Sequence, residues 1–190
     1  MLSIEMIAAN TKKSILFVSL YDGNHSRIGT YLGKEDSIGN WLTIEKINFS
    51  ACKEIRQKIR DCNPAVIIVV SNSQLLVPII WLISSVPIIL DAGWLLSDAN
   101  FTRNRNCVEL IKAILNWLID YMAFAASHHI LVESSEQKDR CKKLHLSKAG
   151  KMTVLLTGLN EARFNQVNIK KPPELGTVTG PILLFRGKYN

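Results

Sequence analysis

The amino-acid sequence predicts an α/β protein built on a doubly wound, Rossmann-like parallel β-sheet. Continuous apolar runs occur at residues 14–20, 65–70, 86–90, 129–132 and 153–156, with a weaker run at 42–47. Such runs are typical of strands that are covered on both faces of a parallel sheet. Stretches of helical character lie between most of them, and strands that alternate with helices in this way favour a parallel sheet with crossover helices.

Two of the predicted helices have a clear apolar face. In residues 49–62 the apolar side chains recur at helical spacing at Phe49, Cys52, Ile55 and Ile59. The longest helix is predicted from about residue 105 to residue 124, with an inner face formed by Val108, Ile111, Leu115, Leu118 and Met122. A further helix is predicted after Ser134, with Ser134 and Gln137 as a capping box.

Residues 62–90 carry no charged side chain and no histidine. A membrane-spanning helix needs about 20 predominantly apolar residues, whereas polar residues and prolines interrupt this segment. Its two β-branched runs lie on either side of an apolar stretch at residues 75–83. We therefore predict a strand, a buried helix and a second strand, with a transmembrane helix as the alternative.

Composition and charge limit the classes of function. The chain has 190 residues and a formal net charge of +7. Residues 1–95 carry 9 basic and 8 acidic side chains, and residues 96–190 carry 14 and 8. The basic excess of the second half is expected to form a solvated surface, with phosphate-bearing ligands or lipid headgroups bound there as the alternative. The four cysteines are at least ten residues apart, so a paired-cysteine zinc site is excluded.

Several motifs of cofactor chemistry are missing. The loop after the first strand lacks a dinucleotide fingerprint, and residues 29–35 have one residue too few for a phosphate-binding P-loop. No GxSxG hydrolase motif occurs. His128 and His129 are adjacent, so on a strand they point to opposite faces and share no metal. We predict neither a cofactor nor a metal site.

The end of the chain predicts a domain boundary. Residues 170–176 are rich in proline and lysine, and residues 181–185 read as a buried strand five residues before Asn190. We predict a first lobe at residues 1–166, a linker at 167–180, and at 181–190 the first strand of a second lobe that is absent. The alternative is that this strand folds back onto the first sheet.

Four segments, taken in order, resemble family 4 nucleotide-sugar glycosyltransferases, whose GT-B architecture has two lobes. They are residues 88–98 (IILDAGWLLSD), 130–138 (ILVESSEQK), 154–164 (VLLTGLNEARF) and 182–190 (ILLFRGKYN). The third is similar to the family's signature at the close of the first lobe, with Asn160 in place of Asp. The fourth looks like the opening strand and basic turn of the donor-binding lobe. The chain thus resembles the acceptor lobe and the start of the donor lobe.

The resemblance implies transfer of a sugar from a nucleotide-diphospho-sugar to a glycan or lipid-linked acceptor. Asp91 is the candidate catalytic base or sugar-hydroxyl partner, with capping of the following turn as its alternative role. Ligands in such sheets collect beyond the carboxyl ends of the strands. The residues predicted to line the acceptor and interlobe cleft are Gly23, Asn24, His25, Arg27, Ser134 and Asn160. Lys188 and Arg186 are predicted to bind the donor phosphates, with a solvated strand end as the alternative.

Departures from the family pattern limit this expectation. Gly23 stands where the family often has paired glycines, and the family's remaining donor-binding residues would lie beyond Asn190. We therefore expect no sugar transfer by these residues alone. A flavodoxin-like ligand- or protein-binding module without catalysis is the second hypothesis, and a truncated, inactive product is the third. The expected location is cytoplasmic, with peripheral contact at an anionic inner-membrane surface and no nucleic-acid partner.

Overall fold

The computed structural model describes residues 14–20, 39–70, 72–97, 107–144, 146 and 149–156. Six strands are present there: β1 (Ile15–Ser19), β2 (Gly39–Thr43), β3 (Val66–Val69), β4 (Ile88–Asp91), β5 (His129–Val132) and β6 (Met152–Val154). The helices are α1 (Phe49–Cys62), α2 (Leu76–Ile83), α3 (Cys107–Ala126) and α4 (Ser135–Lys143), followed by a 3₁₀ turn at Ala149–Lys151. Each strand overlaps one of the predicted apolar runs, and β2 begins three residues before the run predicted at residues 42–47.

The six strands form one sheet in the order β2-β1-β3-β4-β5-β6, and every neighbouring pair is parallel. This confirms the prediction of an α/β protein with a doubly wound, Rossmann-like sheet. Strand β1 pairs with β2 on one side and with β3 on the other. The chain therefore reverses its direction of travel across the sheet at β1, and ligands in such folds bind outside the carboxyl ends of the strands at this reversal.

Both faces of the sheet are buried at its centre. Leu16 and Val18 of β1 belong to the larger core cluster, to which all four described helices contribute side chains. Ile15 and Phe17 of the same strand point to the opposite face, where they pack with Val66, Ile68 and Val70. The continuous apolar runs of β1 and β3 therefore reflect burial on both sides, as the sequence predicts.

The ends of α1 are fixed by two asparagines. The Asn48 side-chain oxygen accepts a hydrogen bond from the backbone N–H of Ala51 at 2.9 Å, which caps the first turn. Asn63 ends the helix in the left-handed conformation, with φ at 42°. The predicted apolar face is only partly correct, since Ile55 is fully buried but Phe49 is 76% exposed.

Removing the cap at Asn48 should destabilise the protein. We expect Asn48→Ala to lower the free energy of unfolding by about 1 kcal/mol, because the Ala51 N–H loses its partner in the helix. Asn48→Asp is the matched control, since aspartate also caps and should stay close to the wild type. Urea denaturation followed by circular dichroism measures both. Equal losses in the two variants would contradict a capping role.

The uncharged segment at residues 62–90 folds as a strand, a helix and a strand. It contains β3, α2 and most of β4, and Leu76, Val77 and Ile80 on α2 are fully buried in the core. The prediction is confirmed. Among the helices of the described residues, none is both long enough and apolar enough to cross a membrane.

Helix α3 lies with the opposite face inward from the one predicted. Its buried side chains are Ala113, Asp120, Ala123 and Phe124. The predicted inner face is exposed instead: Val108 59%, Ile111 58%, Leu115 54%, Leu118 45% and Met122 39%. The prediction was wrong because both faces of this helix carry apolar residues. The inward face includes small alanines and one aspartate, which apolar periodicity alone does not select.

Candidate functional site

The candidate site lies at the carboxyl edge of the sheet, around the loop that follows β4. Asp91 ends β4 and pairs in register with Leu131 of the neighbouring β5. Ser134 follows β5 and is the N-cap of α4. The structure thus places these two predicted residues at the ends of adjacent strands. The other predicted cleft and phosphate-binding residues lie outside the described residues: Gly23, Asn24, His25, Arg27, Asn160, Arg186 and Lys188. The predicted linker and second-lobe strand lie outside them as well.

Ser134 and Gln137 form the predicted helix cap in a modified form. The Ser134 hydroxyl accepts a hydrogen bond from the Gln137 backbone N–H at 3.1 Å. The Gln137 side-chain oxygen accepts from the backbone N–H of Glu133 at 2.7 Å, one residue before the position of an ordinary capping box. This leaves the Gln137 side-chain amide nitrogen free to donate elsewhere.

Gln137 also fixes the start of the loop after β4. Its Nε2 donates to the backbone oxygens of Ala92 at 2.6 Å and Gly93 at 3.0 Å. The Ala92 backbone N–H donates to the oxygen of Leu131 at 2.8 Å, which continues the β4–β5 pairing by one residue. The cap of α4 and the loop after β4 are therefore held by one side chain.

Asp120 on α3 fixes the far end of the same loop. Its carboxylate accepts from the backbone N–H of Leu96 at 3.3 Å, and from the backbone N–H and the hydroxyl of Ser97 at 3.0 and 2.8 Å. Asp120 and Ser97 are both fully buried. The Asn116 side chain adds a hydrogen bond to the Leu96 oxygen at 3.3 Å. A buried carboxylate that accepts several hydrogen bonds is compatible with the core.

Gln74 fixes the middle of the loop. Its Nε2 donates to the backbone oxygen of Trp94 at 2.7 Å. Gln74 is fully buried, and its Oε1 has no hydrogen-bond partner among the described residues. Ser73, next to it, accepts from the backbone N–H of Leu20 at 2.9 Å and so joins the chain after β3 to the chain after β1. This contact lies at the point where the strand order reverses.

The loop at residues 92–97 therefore holds an exposed aromatic side chain on a fixed backbone. The backbone oxygens of residues 92, 93, 94 and 96 all accept hydrogen bonds from side chains. Within this stretch the Leu95 side chain is buried, whereas the Trp94 side chain is 67% exposed. Trp94, Gln74 and Asp120 were not predicted from the sequence as site residues. Trp94 could have been identified as a tryptophan four residues after the buried strand predicted at residues 86–90, in a loop at the carboxyl edge of the sheet.

Asp91 itself is fully buried. An acceptor hydroxyl would reach its carboxylate only after the residues that cover it moved. No group of three or more His, Cys, Asp or Glu side chains suited to a metal ion occurs within the part of the chain that the structure describes. What the arrangement offers chemically is thus a rigid edge with hydrogen-bonding groups and one aromatic surface.

No protein-family model and no curated protein matches this chain.

An open depression of about 550 Å³ lies at the opposite, amino edge of the sheet, between the end of α3 and the start of β5 and β6. Lys151 lies in its wall and donates to the backbone oxygens of Phe124 and Ala125 at 2.8 and 3.1 Å, so it satisfies carbonyls at the end of α3. His129 also lines it, and its Nε2 is 2.9 Å from the Thr153 hydroxyl. Burial, and then the charges of Lys138 and Lys151, lower the pKa of His129.

This lowered pKa predicts a loss of stability in mild acid. The unfolded chain binds a proton at His129 below about pH 6.5, whereas the folded protein resists that proton. The free energy of unfolding should therefore be fully retained above about pH 6.5 and fall as the pH drops towards the folded pKa. We expect His129→Gln to show a smaller fall between about pH 7.5 and 5.0 in urea denaturation. Identical pH profiles for the two proteins would contradict the assignment.

Proposed function

We propose that this chain is the acceptor lobe of a nucleotide-sugar glycosyltransferase with two-lobed GT-B architecture, of the family 4 kind. The observation that carries the proposal is the loop at residues 92–97, which holds an exposed Trp94 at the carboxyl edge of a parallel sheet. The loop lies within residues 88–98, the first segment that resembles this family. Gln137, which donates to the loop, and Ser134, which caps the same helix, lie in the second such segment, residues 130–138.

In this proposal Trp94 provides the surface on which an acceptor sugar rests. The apolar face of a tryptophan suits the C–H face of a pyranose ring, while its edge and the loop backbone remain available to polar groups. Because Gln74, Gln137 and Asp120 already order the loop, binding does not have to supply that ordering. A fixed aromatic surface therefore gives the acceptor a defined orientation.

The buried position of Asp91 supports the structural alternative for this residue. In the proposal the Asp91 carboxylate has a structural role under the loop at residues 92–97. It does not take a proton from the acceptor hydroxyl. Arg186 and Lys188 are proposed to contact the diphosphate of the donor, where cations stabilise a leaving diphosphate without a metal ion. Transfer itself is assigned to the complete two-lobed enzyme.

Saturation-transfer NMR with a panel of monosaccharide and oligosaccharide glycosides tests the proposal. We expect at least one glycoside to receive signal from the protein, with affinity falling about tenfold or more in Trp94→Ala. Trp94→Phe keeps an aromatic ring and should retain most of the binding. Trp81→Ala is the matched control, because Trp81 on α2 is 55% exposed but lies outside the loop. Absence of glycoside binding, or equal losses in Trp94→Ala and Trp81→Ala, would contradict the proposal.

The second candidate function is a binding module without catalysis. The order of the first five strands along the sheet, β2-β1-β3-β4-β5, is that of flavodoxin-like folds, in which the ligand binds where the order reverses. Here that position lies beyond Ser19 at the end of β1 and near Ser73, four residues after the end of β3. Titration with flavin mononucleotide and with inorganic phosphate, followed by amide NMR, separates the two functions. Shifts at Leu20 and Ser73 without any at Trp94 would favour the binding module.

A further inference from the structure

The outward face of α3 is an apolar surface of unusual extent. Eight of its large apolar side chains are between 39% and 59% exposed: Val108, Leu110, Ile111, Ile114, Leu115, Leu118, Tyr121 and Met122. Their combined exposed area is on the order of 800 Å², which is the area that each partner contributes to a standard protein interface. The largest apolar patch on a monomeric protein is typically smaller, about 300–600 Å². Water contact over this whole surface would be costly, so the surface points to a partner.

The spacing of the central residues indicates what kind of partner fits. Val108, Ile111, Leu115, Leu118 and Met122 follow one another at intervals of three and four residues. This is the spacing of the a and d positions of a heptad, the pattern with which one helix packs along another. The stripe extends over about 21 Å of helix. It lies opposite Ala113, Asp120 and Ala123, which are buried against the rest of the protein.

The charges on α3 distinguish between candidate partners. On this helix the cation beside the stripe is Lys112, and its Nζ is paired with Glu109 at 2.8 Å. A surface that lies on anionic lipid carries lysines and arginines along its polar flank, and α3 does not have this pattern. A partner helix with a heptad stripe of its own and few charges complements it better. A second copy of α3 meets these requirements.

We infer that two copies of this chain associate through the outward faces of α3, packed antiparallel about a twofold axis. With the axis between residues 116 and 117, Leu115 faces the partner's Leu118, and Ile111 faces the partner's Met122. The two Lys112 side chains lie nine residues, or about 13 Å, apart along the helix axis, so no like charges meet. Opposed helix dipoles also favour the antiparallel arrangement. This inference does not depend on the proposed function.

Sedimentation velocity from about 1 to about 100 µM tests the association, since interfaces of this area have dissociation constants from micromolar down to picomolar and should be populated in that range. We expect the wild type to dimerise and Leu118→Glu to weaken the dimer by at least about tenfold. Phe49→Glu is the matched control, because Phe49 on α1 is 76% exposed and lies outside α3. A wild type that stays monomeric throughout, or a Leu118→Glu variant that dimerises normally, would overturn the inference.

Flotation with phosphatidylglycerol vesicles tests whether an anionic lipid membrane, and not a second copy of the chain, covers this face of α3. Vesicle binding by a monomeric wild type, lost in Leu118→Glu, would assign this surface to lipid and overturn the inference. Circular dichroism of each variant establishes that it is folded. Leu118 is 45% exposed, so a charged side chain at this position in the monomer meets water and not the core.

Disulfide cross-linking tests the orientation with a cysteine that the protein already has. Cys107 is exposed at the first turn of α3. In the antiparallel arrangement its sulfur is about 28 Å along the axis from its copy, so oxidation should not link the two. Leu118→Cys, in a background with Cys52→Ser and Cys62→Ser, lies about 4.5 Å along the axis from its copy and should link readily. Linkage through Cys107 without linkage at Leu118→Cys would overturn the antiparallel arrangement.

Discussion

Replacing Phe124 with alanine should lower the free energy of unfolding by about 4 kcal/mol. Phe124 is among the largest fully buried side chains of the described residues, and it lies in the main core cluster with Ile88 and Ile130. Truncation removes its apolar contacts and leaves a cavity that the surrounding strands and helices close only in part. Urea denaturation followed by tryptophan fluorescence measures the loss.

Leu118→Ala is the control, on the same helix but on its outward face. At a dilution where the protein is monomeric, we expect this change to cost less than about 1 kcal/mol, because the leucine is 45% exposed. The pair of variants therefore reports which face of α3 is buried. If Leu118→Ala cost as much as Phe124→Ala, the helix would lie with the face that periodicity predicts against the sheet.

Replacing Asp120 with asparagine should cost about 3 kcal/mol of stability and release the loop at residues 92–97. Asparagine has nearly the same shape, but its NH₂ group would face a donor where a carboxylate oxygen now accepts. The Leu96 and Ser97 amides would then lack the charged acceptor that they have in the wild type. Hydrogen exchange should become faster at these two amides while that of the core strands changes much less.

Ser97→Ala is the matched control for Asp120→Asn. It removes only the hydroxyl hydrogen bond of 2.8 Å and leaves both amide contacts to Asp120 in place. We expect a cost of about 1 kcal/mol and nearly unchanged exchange at residues 96 and 97. Similar effects of the two substitutions would indicate that the carboxylate does not order the loop.

The sheet could be predicted from the sequence because its strands are buried on both faces. A continuous apolar run such as Ile15–Ser19 has one structural interpretation when helices follow at regular intervals. The buried face of α3 could not be predicted in the same way, because both faces of this helix are apolar and periodicity does not distinguish between them. The choice is made by Asp120, whose burial becomes favourable only when the Leu96 and Ser97 amides are in place.

The candidate site was predictable only where its contacts are local. The cap at Ser134 joins residues three positions apart and can be read from the sequence. The hydrogen bonds that fix the loop join residues separated by 20 positions at Gln74, 23 at Asp120 and 45 at Gln137. Such contacts exist because the fold brings distant segments together, and single-residue patterns do not encode the distances.

The position of β1 between β2 and β3 has a consequence for how the chain folds. Its partner β3 lies far along the sequence: Ile15 pairs with Val66, 51 residues away. Parallel pairing of this kind has a high contact order, so it tends to form slowly. During synthesis from the amino terminus, β1 is made well before β3. The edge of β1 that pairs with β3 therefore stays unpaired in the meantime. Among the described strands β1 is thus exposed to aggregation for longest, and chaperone dependence of expression should follow from this topology.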